Sequence, residues 1–338
     1  MLDCGSTGSR LHRLADDRSH VVDVDEKITP AVHVRIAECM TRSSVETTAK
    51  AFANRVAMAI RGDGDVVGVR AGAGAGGVSR RGGSNVFVGM TAGVRNWVRD
   101  DPRPRRSALQ TFLRVVREAL RRHDVVVTWE SSSGYMSARR ESQYEHAAMR
   151  DVVARCISPH PQLKRCLHQH SLVGHIGVGG ASIQVSWRDA PGPSGTLQHR
   201  LLPFSFTTPD AIAVADAYFD RRRQQRSRER PPTGVYFLME SCYWVVKEIV
   251  EKAAARGERR PLSFDACTPL PKLVAALARF EEDEGAKPVG GRDRNYTTAC
   301  LLRRVLEHVL PSEATVVVAG PSYCGADITW ALGRLRGR

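Results

Sequence analysis

Val173-Gly174-His175-Ile176-Gly177-Val178-Gly179-Gly180-Ala181-Ser182-Ile183-Gln184 is an apolar run that enters a glycine turn and leaves as a second apolar run. Leu172–Ile176 and Ile183–Trp187 read as two strands joined by that turn. Small residues let peptide N–H groups close on an anion such as phosphate, so Gly179, Gly180 and Ala181 are candidate phosphate contacts. Ser182 and Gln184, just behind them, are placed to orient a water. The N-terminal stretch Asp3-Cys4-Gly5-Ser6-Thr7-Gly8-Ser9-Arg10 has the same form. A strand ends in a carboxylate, and a turn of glycines and hydroxyls follows. Ser6, Thr7, Gly8 and Ser9 offer N–H and O–H donors, and Arg10 adds a fixed positive charge. Asp3 would repel phosphate by itself, so it predicts a divalent cation held through water.

Two such turns, far apart in the chain, point to two similar half-structures gripping one phosphate chain from both sides. The elements between them fit that reading. Arg10–Leu14 and Val21–Val24 read as a hairpin, and Val86–Val88 and Val125–Val127 as buried strands. Helical spacing covers Ser44–Ile60, Ser107–Arg122 and Glu141–Cys156. It returns at about 209–223, 241–256, 270–282, 296–310 and 327–335, with a strand at Val316–Ala319. Mixed helices and strands of this kind define an α/β protein. Gly72, Gly74 and Gly77 formally match a dinucleotide fingerprint, but Arg80-Arg81-Gly82-Gly83 continues the loop where a helix should begin, so no such site is expected.

The chain has 338 residues, enough for two domains of ordinary size, and no apolar run long enough to span a membrane. No leader is visible in its polar, glycine-rich first residues. Fifty basic residues against 36 acidic ones give a net charge of +14. Such a surface attracts polyanions. The densest run, Arg221 to Arg230, reads as a solvated loop. It carries no aromatic residue to stack on bases, so nucleic acid is not the expected partner. The eight cysteines form no CxxC pair, which argues against zinc, and their disulfide state stays open. Asn295-Tyr296-Thr297 matches a glycosylation acceptor at the start of a helix.

Five segments, taken in order, resemble the motifs of the apyrases, the nucleoside triphosphate diphosphohydrolases. They are Asp3–Arg10, Met90-Thr91-Ala92-Gly93-Val94-Arg95, Ser137–His146, Val173–Gln184 and Trp330-Ala331-Leu332-Gly333. The helix at Asn295–Leu302 echoes the one before the last motif. The resemblance implies the actin-like architecture: two RNase H-like lobes with an active-site cleft between them. The first lobe would comprise 1–136 plus 331–338, the second 137–330. It also implies Ca²⁺- or Mg²⁺-dependent hydrolysis of the terminal phosphate of nucleoside tri- and diphosphates. Glu141 would be the general base for the attacking water, with Thr91 and Arg95 at the mouth of the first lobe. Arg95 would either reach a phosphate or brace the loop. A secretory-pathway location would follow from the family, and the oligomeric state is not legible. Trp330 reads as core. Tyr236, Phe237, Tyr243 and Trp244 are the candidate rings for a base.

The chain departs from the motifs at several points. Gly177 stands where the fourth motif carries an aspartate that holds a metal-bound water. Ala138 and Ser142 replace two glycines of the third motif, and His146 replaces its tryptophan. These departures keep open a nucleotide-binding pseudoenzyme. An exopolyphosphatase of the same architecture is a further alternative, against which the Thr91–Arg95 and Trp330–Gly333 segments weigh. A sugar kinase lacks its aspartate base here.

Overall fold

The computed structural model describes residues 2–4, 9–14, 21–29, 32–38, 41–66, 84–156, 161–169, 171–189, 195–224, 231–258, 262, 264, 266–286, 294–319 and 334. The chain forms two compact units, Met1–Ser137 and Ala138–Arg338.

The first unit contains β1 (Leu2–Cys4), β2 (Ser9–Leu14), β3 (Val21–Thr29), α1 (Val32–Ala37), α2 (Arg42–Val66), β4 (Ser84–Met90), α3 (Ala92–Asp100), α4 (Pro102–Arg121) and β5 (Val125–Trp129). Its sheet runs β3-β2-β1-β4-β5. The first three strands are antiparallel, and β4 and β5 continue parallel to β1. The parallel strands need helical crossovers, which α2 and α3–α4 supply. Proline at the first position of α4 presets the helical φ. Leu109, Phe112, Val116 and Leu120 then fall on one face and pack with Phe52 and Val88 in the core.

The second unit contains α5 (Ala138–Cys156), α6 (Pro161–Gln169), β6 (Leu172–Val178), β7 (Ile183–Arg188), β8 (Leu197–Leu202), α7 (Ala211–Gln224), β9 (Val235–Glu240), α8 (Ser241–Ala255), β10 (Thr268–Pro269), α9 (Leu270–Gly285), α10 (Arg294–Val309) and β11 (Thr315–Val318). Its sheet runs β10-β11-β9-β6-β7-β8. Again three strands are antiparallel (β6, β7, β8), and β9 and β11 extend the sheet in parallel to β6. The two sheets thus repeat one wiring, as two related half-structures require. Both units are mixed α/β, as expected.

Gly174 holds β6 against β7. A Cβ there would stand 1.9 Å from the Ser186 carbonyl oxygen, a contact no side chain can survive. A disulfide joins Cys166 of α6 to Cys267 before β10, a bond of the kind that persists in oxidising compartments. Cys4, Cys242 and Cys300 are buried thiols.

Several elements differ from the sequence reading. Helices α1, α3 and α6 and strands β8 and β9 were not read. β9 is the central strand of its sheet and is apolar on both faces, so no period-2 alternation marks it. Tyr236 and Phe237, taken as candidate rings, belong to that strand and are fully buried. Arg221–Arg223 lie in the last turn of α7 rather than in a loop, while 225–230 fall outside the described residues. The final helix expected over 327–335, Trp330 and, Arg334 aside, the segment 331–338 also lie outside them. Among the described residues, no helix is long and apolar enough to cross a membrane.

Candidate functional site

The glycine turn between β6 and β7 is half-buried and held from one side. Gly179 N–H donates to the Ser182 carbonyl at 3.0 Å, closing the turn. The Ser205 hydroxyl, fully buried after β8, lies 2.8 Å from the Gly179 carbonyl and also reaches that of Gly180. Thr207 Oγ1 donates to the Gly180 carbonyl as well. A trans peptide points its N–H opposite to its C=O, and no described peptide bond is cis. Drawing the Gly179 and Gly180 carbonyls toward Ser205 and Thr207 therefore turns the N–H groups of Gly180 and Ala181 together to the other side. N–H groups turned to one side in this way are donors that can face an anion.

Helix α5 packs its first turns against the base of the turn. Glu141 is in the first turn and 6% exposed. Its neighbour Ser142 donates to Gln184 Oε1 at 2.6 Å, which ties α5 to β7 and fixes the amide. One turn on, Glu145 Oε2 lies 3.1 Å from His175 Nε2, both groups buried. Burial pushes His175 down to about 3, so its imidazole is neutral and donates from Nε2. His175 Nδ1 has no partner. His146 is likewise pushed down to about 3, first by burial and then by His175, Arg188 and Arg150. Its Nε2 accepts from Arg188 Nε at 3.3 Å. A buried neutral imidazole on an arginine thus stands at position 146.

A second carboxylate arrives from the neighbouring strand. In the parallel pairing of β6 and β9, Val178 lies opposite Glu240, at the carboxyl ends of the strands, where open α/β sheets bind ligands. Glu240 is exposed and adopts φ 59°, ψ −123°, a costly state for a residue with a Cβ. The strand-to-helix elbow this creates turns its side chain over the sheet end. A Cβ on Gly177 would stand 3.6 Å from Glu240 Oε2 and 3.7 Å from Glu145 Oε2. The two carboxylates thus flank the place where the expected aspartate is missing. Across from them, Arg294 donates to Ser241 Oγ at 2.8 Å and lies 4.1 Å over the Phe206 ring. Burial lowers its pKa, and the charge of Glu240 acts against that shift.

Among the described residues no group of three or more acidic, histidine or cysteine side chains is assembled for a metal. Glu145 and Glu240, two carboxylates beside one point, suit Mg²⁺ in its common mode of few protein ligands plus phosphate oxygens.

The structure places Gly179, Gly180, Ala181, Ser182, Gln184 and Glu141 in the second unit, with Ser142, next to Glu141, bound to Gln184. Thr91 is buried at the start of α3, its N–H on the Cys4 carbonyl. Arg95 donates to the Met136 carbonyl at 2.9 Å, so it braces its own unit. Ser9 is buried in β2. The side chains of Asp3 and Arg10, and residues Ser6, Thr7 and Gly8, lie outside what is described. Trp244, one of the candidate rings, is 47% exposed and packs edge-on against Tyr243 on α8.

Sequence reading missed Ser205, Thr207, Glu240 and Arg294. None sits in a motif. Only Glu240 had a signal: a charged residue between an apolar run and a helix start, as at an elbow.

The fold and the turn together define an α/β protein of two similarly wired units, one carrying a clamped glycine turn beside two carboxylates. No family model matches the chain, and no curated protein matches it. Among solved structures, it is similar to an exopolyphosphatase-like protein at 16% identity and a TM-score of 0.48, over 99% of this chain and 95% of that one. It is also similar to an exopolyphosphatase from Cytophaga hutchinsonii at 12% identity and a TM-score of 0.43, over 94% and 92%. These findings correct the family expectation. The motif order resembled the apyrases, yet no family model matches and the structural neighbours belong to a different family, the exopolyphosphatase-like proteins. Short glycine-rich motifs recur wherever a turn of this kind binds phosphate, so their order alone does not fix the family.

Proposed function

We propose that the chain hydrolyses the terminal phosphoanhydride of a phosphate chain, with inorganic polyphosphate as substrate. The observation that carries this reading is the clamp of Ser205 and Thr207 on the Gly179 and Gly180 carbonyls. It presents N–H dipoles to an anion before any ligand arrives, which is the preorganisation phosphoryl transfer needs. Arg294, bound to the Ser241 hydroxyl next to Glu240, adds a fixed charge at the start of α8. Tyr236 and Phe237 are in the core and stack on no base, which removes two of the four candidate rings.

In this reading Glu141 accepts a proton from water while the water oxygen attacks the terminal phosphorus. The bridging P–O bond breaks, its electrons stay with the shortened chain, and orthophosphate leaves. Gln184, fixed by Ser142, and Ser182 orient the water. Glu145 and Glu240 would hold a divalent cation, which when bound neutralises the oxygens of the phosphate chain. His175 keeps Glu145 in place through a neutral hydrogen bond.

The test is orthophosphate release from polyphosphate, ATP and ADP, each with Mg²⁺, with Ca²⁺ and with chelator. Metal-dependent release from polyphosphate is expected, and Glu141→Gln should abolish it while binding persists. Hydrolysis of ATP with none of polyphosphate would overturn the substrate. Polyphosphate bound but never cleaved would leave a binding protein in place of an enzyme.

A further inference from the structure

Helix α4 carries six arginines and a single glutamate along twenty residues. Its apolar face is used up in the core of the first unit. Arg103, Arg106, Gln110, Arg114, Arg117 and Arg121 recur at intervals of three or four, so they share one face, and all are exposed. At the helical rise this row runs about 27 Å. Arg114 is bound to Glu118 and to Glu46 of α2, at 3.2 and 3.3 Å. Among the described residues, the side chains of Arg103, Arg106, Arg117 and Arg121 have no ion-pair or hydrogen-bond partner. Four guanidinium groups on one rigid line, without an acidic partner among the described residues, repel each other.

We propose that this arginine row is a second binding surface, and that its ligand is a linear polyphosphate chain. The inference rests on the proposed function and extends it from the terminal phosphate to the length of the substrate. A straight row of cations matches a linear polyanion, and each guanidinium fork can engage phosphate oxygens in pairs. The exposed face carries no aromatic residue on which bases could stack, which disfavours single-stranded nucleic acid. It has no apolar stripe left over to enter a bilayer, which disfavours a lipid surface. An exposed row of this kind acts by releasing counterions, so its binding weakens steeply with salt.

The experiment compares the whole protein with two quadruple variants, Arg103, Arg106, Arg117 and Arg121 each to Gln, and the same four each to Lys. All four positions are exposed, and both substitutes favour helix, so neither variant should melt lower than the wild type. Binding of long-chain polyphosphate is measured against salt, together with kcat and KM on long-chain polyphosphate and on tripolyphosphate. The Gln variant should lose about tenfold or more in long-chain affinity, with its log–log salt slope flattened by about 3. Its KM on the long chain should rise, while kcat and tripolyphosphate hydrolysis stay as in the wild type. The Lys variant should keep most of the salt slope. Unchanged long-chain binding in the Gln variant overturns the surface, whatever the activity shows. Tighter binding of single-stranded DNA or of anionic vesicles than of polyphosphate, lost in the same variant, overturns the assigned ligand. Polyphosphate binding lost in the Gln variant, in a protein that cleaves neither chain, leaves the surface standing and removes the hydrolase reading instead.

Discussion

Glu240 places its Oε2 3.6 Å from where a Cβ on Gly177 would stand and 3.2 Å from the corresponding point on Gly179. The two residues come from neighbouring parallel strands, and the strained elbow at Glu240 aims the carboxylate across the gap. A glycine at 177 therefore does not leave the turn without a carboxylate. The space that an aspartate side chain would enter already borders on Glu240 and Glu145.

The strain at Glu240 can be separated from its charge. Glu240→Gly should stabilise the fold by about 1 kcal/mol, since glycine accepts a positive φ without penalty. Glu240→Gln keeps the strain and removes the charge. Both should raise the Mg²⁺ concentration needed for hydrolysis, and only the glycine variant should melt higher. A glycine variant with unchanged metal dependence would remove Glu240 from the site.

Gly177→Asp meets no steric barrier. The nearest atoms to the added Cβ are at ordinary contact distances, and the backbone is not in the left-handed region. Electrostatics opposes it, because a third carboxylate would join Glu145 and Glu240. Like charges about 4 Å apart near a surface repel by up to about 4 kcal/mol. The variant should melt several degrees lower in chelator and recover most of that loss with millimolar Mg²⁺ or Ca²⁺. Equal melting with and without the ion would show that the carboxylates do not share a cation.

Ser205→Ala removes the buried donor of the Gly179 and Gly180 carbonyls. Loss of stability should be about 1–2 kcal/mol. The freed peptides can rotate, so KM for polyphosphate should rise about tenfold, equivalent to about 1.4 kcal/mol of lost binding. Thr207→Val, with one donor lost of the two at Gly180, should show a smaller rise in the same direction. A normal KM in Ser205→Ala would mean that the clamp does not shape the turn.

Stability should fall on acidification below the ordinary histidine range. His146 and His175 are held neutral down to about 3, whereas in the unfolded chain each binds a proton near 6.5. Between those values the unfolded state binds more protons, so unfolding becomes easier as pH falls. The contribution is complete above about pH 6.5 and is lost progressively toward 3. Each imidazole contributes up to about 3 kcal/mol of that loss by pH 4. Thermal melts from pH 7.5 to 4 should show the decline, and His146→Phe, which removes one titrating group, should flatten it. A flat profile in the wild type would contradict the buried neutral imidazoles.

Local chemistry made part of this protein legible from its residues. Apolar spacing in Ser107–Arg122 marks α4, because a helix must bury one face. The runs on either side of Gly179-Gly180 mark a hairpin, because only small residues make that turn close to an anion. The same local logic misled at the level of family, since motifs that short report a kind of turn and not a lineage. The tertiary structure alone decided which side chains serve the turn. Ser205 and Glu240 lie far from Gly179 in sequence and reach it through the pairing of β7 with β8 and the pairing of β6 with β9. Strand register and helix packing are set by the whole core. A residue brought to a site by them leaves no periodic trace in its own neighbourhood.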